Sequence, residues 1–301
     1  MEKKMENQQT PPKRKRRFGD RNDGRRVRTR GPMDGVAAYI MKDRVGSSNY
    51  VRDTIEMEPI EEYIRKKRKE GREISLMHLI IAAYVRLVAQ RPAINRFISG
   101  QKTYTRDDYV EIVLTIKKEM RLESPDTVVK ITVGKDATIF DIEEQLNQVI
   151  ADYRDNPGGG FDKTAGALKK IPGLLLKFAV WLLKFMDYFG WLPRALTKIS
   201  PFHGSFFITS MGSLGIPPIY HHLYDFGNVP VFCSFGAKYK RWEMDRDGNA
   251  QERHYVDFTF VTDERICDGF YFASGLRLLK AMLRHPEELE LPPGEIVEDI
   301  E

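Results

Sequence analysis

The chain has 301 residues, 42% of them hydrophobic and with 17 Phe and 13 Tyr, enough to bury a sizeable core in one large domain or two small ones. Its two cysteines, Cys233 and Cys267, exclude a disulfide framework and supply no zinc-site spacing, which suits a reducing, cytoplasmic location. The net charge of +5 is a property of one end: Lys13 to Arg30 holds ten Lys or Arg against Asp20 and Asp23, and the remainder is slightly acidic.

Residues 1–30 are polar, with Phe18 and Val27 as the sizeable apolar side chains beyond methionine. So little apolar surface cannot offset the entropy of ordering, so a disordered basic tail is expected. No apolar core of a secretory signal is seen near the N-terminus, and none is expected to act as one. Such a tail serves as a solubilising segment, an anchor on anionic lipid or a nucleic-acid arm. One aromatic among the charges counts against nucleic acid.

YVRDTIEM (50–57) predicts a strand. Pro59 opens a helix that Gly71 ends. Ser75 is the expected N-cap of LMHLIIAAYVRLVAQ, apolar on most faces and therefore a buried helix, stopped by Pro92. YVEIVLTIK (109–117) and VVKITV (128–133) predict strands from their β-branched content. Residues 136–154 predict an amphipathic helix.

NPGGG (156–160) then breaks the chain. The segment that follows, about 165–199, is dominated by GLLLKFAVWLLKFMDYFGW. Lys170, Lys177 and Lys184 recur every seven residues and form one narrow stripe on a helix. These charges and Asp187 argue against a spanning helix. Two readings stay open: a helix at a membrane surface, with lysines at the headgroups, and a helix packed on this protein or a partner subunit. SFFITS (205–210), PVFCSFG (230–236), 238–245 and HYVDFTFVT (254–262) predict strands, with Asp247-Gly248 as a hairpin turn. A closing helix is expected from Gly269 to Arg284. Strands and helices without regular alternation imply an α+β fold around one large mixed sheet.

The strand that runs into ERICDGFYFASGLRLLKAML ends on a motif. Arg265, Ile266, Cys267, Asp268 and Gly269 fit the H-x-x-x-D-G signature of the chloramphenicol acetyltransferase-like family, which includes the catalytic domain of 2-oxoacid dehydrogenase dihydrolipoyl acyltransferases. ITSMGSLGIPP (208–218) is similar to the family's hydroxyl-bearing segment, and NVPVFCSFG resembles the strand after it. The resemblance runs from about residue 33 to about 291. It implies the two-layer chloramphenicol acetyltransferase-like fold, a domain over 31–292 with the 165–199 segment as an insert, and an acidic C-terminal tail at 293–301.

It further implies coenzyme A-dependent acyl transfer, with coenzyme A or acyl-coenzyme A as substrate, and a homotrimer with sites between subunits; no room is seen for a lipoyl domain ahead of the catalytic unit, so no lipoyl attachment is expected in this chain. Residue by residue, Thr209 falls on the hydroxyl that steadies the oxyanion, with Ser210 beside it as a fallback. Asp268 falls on the carboxylate that anchors the loop through an ion pair, and Gly269 on the motif glycine. The histidine that serves as general base is replaced by Glu264. A solvated Glu, with a pKa of about 4.3, is a weak base toward a thiol or alcohol, and Asp263 and Asp268 add unpaired negative charge nearby. Three readings follow: Glu264 is the base of a divergent acyltransferase; the base is one of His203, His221, His222 and His254; or the site is inactive and the fold serves binding, membrane association or assembly. Cys267 is read as packing, not as a nucleophile. Adjacent His221 and His222 lack a completing ligand, so no metal is expected.

Overall fold

The computed structural model describes residues 15–117, 126–155, 166 and 169–299. In chain order its elements are β1 (Arg25–Arg26), α1 (Pro32–Ile40), β2 (Ser48–Glu56), α2 (Glu58–Lys69), α3 (Leu76–Gln90), β3 (Phe97–Ser99), β4 (Lys102–Thr105), β5 (Tyr109–Lys117), β6 (Asp126–Gly134), α4 (Ile139–Asp155), α5 (Gly173–Phe189), α6 (Arg194–Ile199), β7 (Phe206–Ser210), β8 (Val231–Phe235), β9 (Tyr239–Met244), β10 (Ala250–Asp263) and α7 (Gly269–Arg284). The expected strands and helices are present, with ends shifted by a few residues. The expected break at NPGGG lies outside the described residues.

β10 organises the main sheet. Its second half pairs with β2 on one side and β8 on the other, while its first half forms the predicted hairpin with β9. The order β2-β10-β8-β7-β5-β6 is mixed, because β7 runs parallel to both β5 and β8. Strand alternation sends Val256, Phe258, Phe260, Phe206 and Ile208 to one face, where α3 covers them in the main core. α3 is buried from His78 to Ala89, as its all-round apolar sequence demands. Its first turn is closed when the Ser75 N–H donates to His78 Nδ1 at 3.0 Å. The other sheet face carries a smaller cluster, Val113, Phe207, Phe232 and Val261, roofed by Leu223 and Val229. The expected α+β fold, a large mixed sheet flanked by helices, is present.

The expectation of disorder through residue 30 is corrected. Residues 1–14 lie outside the described residues, but Arg21, Asp23, Arg25 and Val27 are buried. β1 pairs with β4, and with β3 they form a small second sheet. The compensation missing from the composition is ionic. Arg21 donates from Nε to Asp23 at 2.8 Å and from Nη2 to Asp187, at the end of α5, at 2.8 Å. His203 Nε2 lies 3.3 Å from the same Asp187 carboxylate. Asn228 donates to Asp23 at 2.8 Å, and Arg106 donates to the Asn228 carbonyl and amide oxygens at 2.9 Å each. The basic arm and the apolar insert are thus locked to each other and to the body. The acidic tail is also docked: Arg96 grips Asp299 through two hydrogen bonds of 2.7 and 2.5 Å.

Candidate active site

The motif loop leaves β10 at Asp263 and enters α7 at Gly269. The Asp263 carboxylate accepts from Arg265 Nε and Nη2, each at 2.8 Å, and from the Arg265 backbone N–H at 3.1 Å. Arg44 Nε adds a second cation at 3.5 Å. Asp263 is therefore not the unpaired charge expected from its position. It is the anchor of the loop, a role the resemblance gave to Asp268. Asp268 makes no ion pair among the described residues. Its Oδ1 accepts from the Tyr271 N–H at 2.8 Å, so it caps α7 and satisfies one orphan donor of the first turn. Arg30 braces the loop by donating to the Arg265 carbonyl at 2.6 Å and to Thr103 Oγ1 at 2.7 Å.

Glu264 is exposed, its backbone N–H held by the Ser47 carbonyl at 2.9 Å. A hollow of about 220 Å³ opens at this loop, lined by Arg30, Asp34, Met41, Glu264, Cys267 and Asp268 among others. Burial, then the neighbouring Asp268 charge, pushes the Cys267 thiol up to about 12. At neutral pH the group is therefore held as the thiol, which suits packing rather than attack. Iodoacetamide at neutral pH is expected to leave Cys267 unmodified in the folded protein and to label it in urea. Rapid labelling of the native protein, located by peptide mass mapping, would contradict this.

Thr209 lies elsewhere. It sits half-buried near the end of β7, on the same sheet face as Phe207. Ser210, next along the strand, takes the other face and holds the turn by accepting from Ser213. The structure thereby separates the two candidate hydroxyls. Thr209 lines a second hollow, of about 230 Å³, with Phe202, Phe207, His221, Tyr224 and Phe232. Gly227 packs against Phe202, one of these lining residues: it has φ +90°, and a Cβ there would meet the Phe202 carbonyl oxygen at 1.9 Å.

His221 stacks on Phe232 at 4.2 Å between ring centroids. Its Nδ1 lies 2.8 Å from the His222 carbonyl. A carbonyl only accepts, so Nδ1 carries the proton and Nε2 is left as the lone-pair nitrogen. Burial lowers the His221 pKa below the ordinary histidine value, which keeps the ring neutral. Of the other candidates, His203 is buried against Asp187 and Ser200 and does not line this hollow. His254 lies 3.2 Å from Glu61 in the sheet opposite β9, and His222 is turned to its own backbone neighbour Leu223. No group of three or more metal-ligating side chains occurs among the described residues.

Thr209 and Glu264 do not meet within one protomer. Thr209 pairs with Ser234, and Ser234 with Thr259, so the three form one row across β7, β8 and β10. Asp263 lies four residues further along β10, about 14 Å along the strand and about 10 Å across from Thr209, or roughly 17 Å in all.

This fold has counterparts in solved structures. A probable dihydrolipoamide acetyltransferase from Listeria monocytogenes superposes with a TM-score of 0.55 over 86% of this chain and 95% of its own, at 17% identity. The chain has the fold of the dihydrolipoamide acetyltransferase catalytic cores. The cubic core of the pyruvate dehydrogenase multienzyme complex matches at TM-score 0.54, with 85% of this chain and 88% of that one covered at 14% identity. The dihydrolipoamide acetyltransferase of Azotobacter vinelandii, in which a serine, a histidine and an asparagine have been examined for roles in the catalytic mechanism, matches at 0.55 with 87% and 89% covered, also at 14% identity. No protein-family model matches the sequence, and no curated protein does.

Proposed function

We propose that the protein carries out coenzyme A-dependent acyl transfer at a centre shared between protomers of a trimer, where Thr209 of one protomer faces Glu264 of the next. The carrying observation is that Glu264 and Thr209 line two different open hollows of one protomer, with Thr209 in register with Thr259, four residues before the end of β10. The oxyanion donor must lie about 3 Å from the reacting carbonyl, and the base about 3 Å from the group that attacks it, a spacing that a neighbouring protomer would supply. The fold shared with a core that builds a multienzyme assembly supports this arrangement. The histidine and asparagine studied in the Azotobacter enzyme are four positions apart, the spacing of Glu264 and Asp268, which supports Glu264 as the base.

In the reaction, Glu264 removes the proton from the acceptor thiol or hydroxyl as it attacks the acyl-coenzyme A carbonyl. The Thr209 hydroxyl donates a hydrogen bond to the oxyanion. Collapse expels the coenzyme A sulfur, which recovers the proton from Glu264. The Arg265–Asp263 pair fixes the loop that carries the base.

A second reading rests on His221, which shares the Thr209 hollow and presents Nε2 as an acceptor. Two variants separate them. With Glu264 as base, Glu264→Gln lowers kcat by about 10²- to 10⁴-fold and His221→Asn leaves it near wild type; the reverse outcome assigns the base to His221. The first test of the function itself is calorimetric titration with coenzyme A and acetyl-coenzyme A. Micromolar binding is expected. Absence of binding by either ligand would refute acyl transfer.

A further inference from the structure

We propose that α5 lies flat on an anionic membrane surface, its outer face in the lipid and its lysines, with the basic arm, at the headgroups. At about 100° per residue, one side of α5 carries Leu176, Ala179, Leu183, Met186 and Asp187, all partly or fully buried against the body. The opposite side carries Leu174, Phe178, Trp181, Phe185, Tyr188 and Phe189, which are 41–86% exposed. Their rings form a continuous ridge that runs on to Trp191: the successive pairs Phe178–Trp181, Trp181–Phe185, Phe185–Phe189 and Phe189–Trp191 have centroid separations of 5.7, 5.6, 5.0 and 4.8 Å. A helix that turns its aromatic side outward is amphipathic in the sense opposite to a core helix.

Charge selects the occupant. Residues 166–199 contain Lys169, Lys170, Lys177, Lys184, Arg194 and Lys198, and Asp187 is their sole acid. Asp187 is buried and paired with Arg21, so the outer surface of the insert presents only positive charge. Lys177 and Lys184 are exposed on one margin of the aromatic ridge, where headgroup phosphates and carboxylates would meet them. The Arg21–Asp187 pair also brings the arm to this edge, with Lys15, Arg16, Arg17 and Phe18 exposed. Arg21 and Asn22 thus tie the arm to the C-terminal end of α5 and to Leu192 beyond it, while Arg16 pairs with Asp107. Two copies of this face would set like charges against each other, so anionic lipid is the better complement. Insertion across the bilayer is not required. The 17 residues of α5 extend about 25 Å, and no helix among the described residues is long and apolar enough to cross a membrane. This inference stands apart from the acyl-transfer reading.

The test is co-flotation of the full chain with vesicles of phosphatidylcholine alone or of phosphatidylcholine with phosphatidylserine. Tryptophan emission is followed in a Trp242→Phe background, which leaves Trp181 and Trp191 as reporters. Binding to the anionic vesicles with a blue shift is expected, weakened by salt. Lys177→Gln and Lys184→Gln each reduce partitioning by about fivefold. Phe178→Glu with Phe185→Glu reduces it by about a hundredfold or more, with an unchanged melting temperature because both side chains face outward. Absence of binding to anionic vesicles overturns the proposal. So does a smaller oligomer in the double Phe variant without any lipid binding by the wild type, which would mark α5 as a contact between copies.

Discussion

Replacing Arg21 with alanine is expected to destabilise the protein by about 3–5 kcal/mol, because it leaves buried carboxylates without their cation. The Arg21 side chain is 2% exposed and the Asp23 and Asp187 side chains 3% and 10%, so water cannot replace the lost partner. The guanidinium also holds Ser99 at 2.6 Å, and its removal unties the arm from α5. The same cluster sets an acid limit. Burial raises the Asp187 pKa, but His203 and Arg21 outweigh it and bring the carboxyl down to about 2. An unfolded Asp titrates near 3.9. The contribution of Asp187 is therefore complete above about pH 4 and is lost as the pH falls through about 2. Urea unfolding as a function of pH measures both effects. In Arg21→Ala the acid-induced loss should begin at higher pH. A change below about 1 kcal/mol, the range of exposed pairs, would show that the arm is not part of the fold.

The second large effect is at Thr209. Thr209→Val preserves shape and removes the hydroxyl, and it is expected to lower kcat by about 10²- to 10³-fold, the range for a lost oxyanion donor. KM should change little, because the hydrogen bond strengthens as charge develops on the carbonyl oxygen. Thr209→Ser should recover most of the rate. Ser210→Ala should not affect it, because Ser210 occupies the other face of β7 and serves the turn at Ser213. Transfer of labelled acetyl from acetyl-coenzyme A to a small dithiol reports all three. Equal loss in Thr209→Val and Ser210→Ala, with lowered melting temperatures, would reduce Thr209 to a packing residue.

Much of the fold is written in local pattern. The β-branched run of β5, the alternation of Val256, Phe258 and Phe260 in β10, and the all-round apolar α3 with Ser75 before it each specify an element through neighbours only a few residues away. The order of motifs, from the hydroxyl segment to Asp268-Gly269, was enough to name the fold. The insert was also legible as a helix, but of the expected lysine stripe only Lys177 and Lys184 lie on α5; Lys170 falls in the turn before Pro172, which opens the helix.

Partners distant in sequence were not legible. Charge-rich residues 21–30 read as a tail because composition does not reveal that Arg21 meets Asp187, 166 residues on. The loop anchor passed from Asp268 to Asp263 because Arg44 and Arg265 converge on the latter, and nothing in the spacing marks Arg44. His221 gained standing only when the loop after β7 folded it onto Phe232 beside Thr209. Sequence by itself determined the elements and the family of folds, because hydrophobic periodicity acts over a few residues. Tertiary structure alone decided which charges neutralise each other, which hydroxyl faces a hollow, and that Thr209 and Glu264 stand apart. Those outcomes depend on desolvation and on distances between segments, and both arise only when the chain has closed on itself.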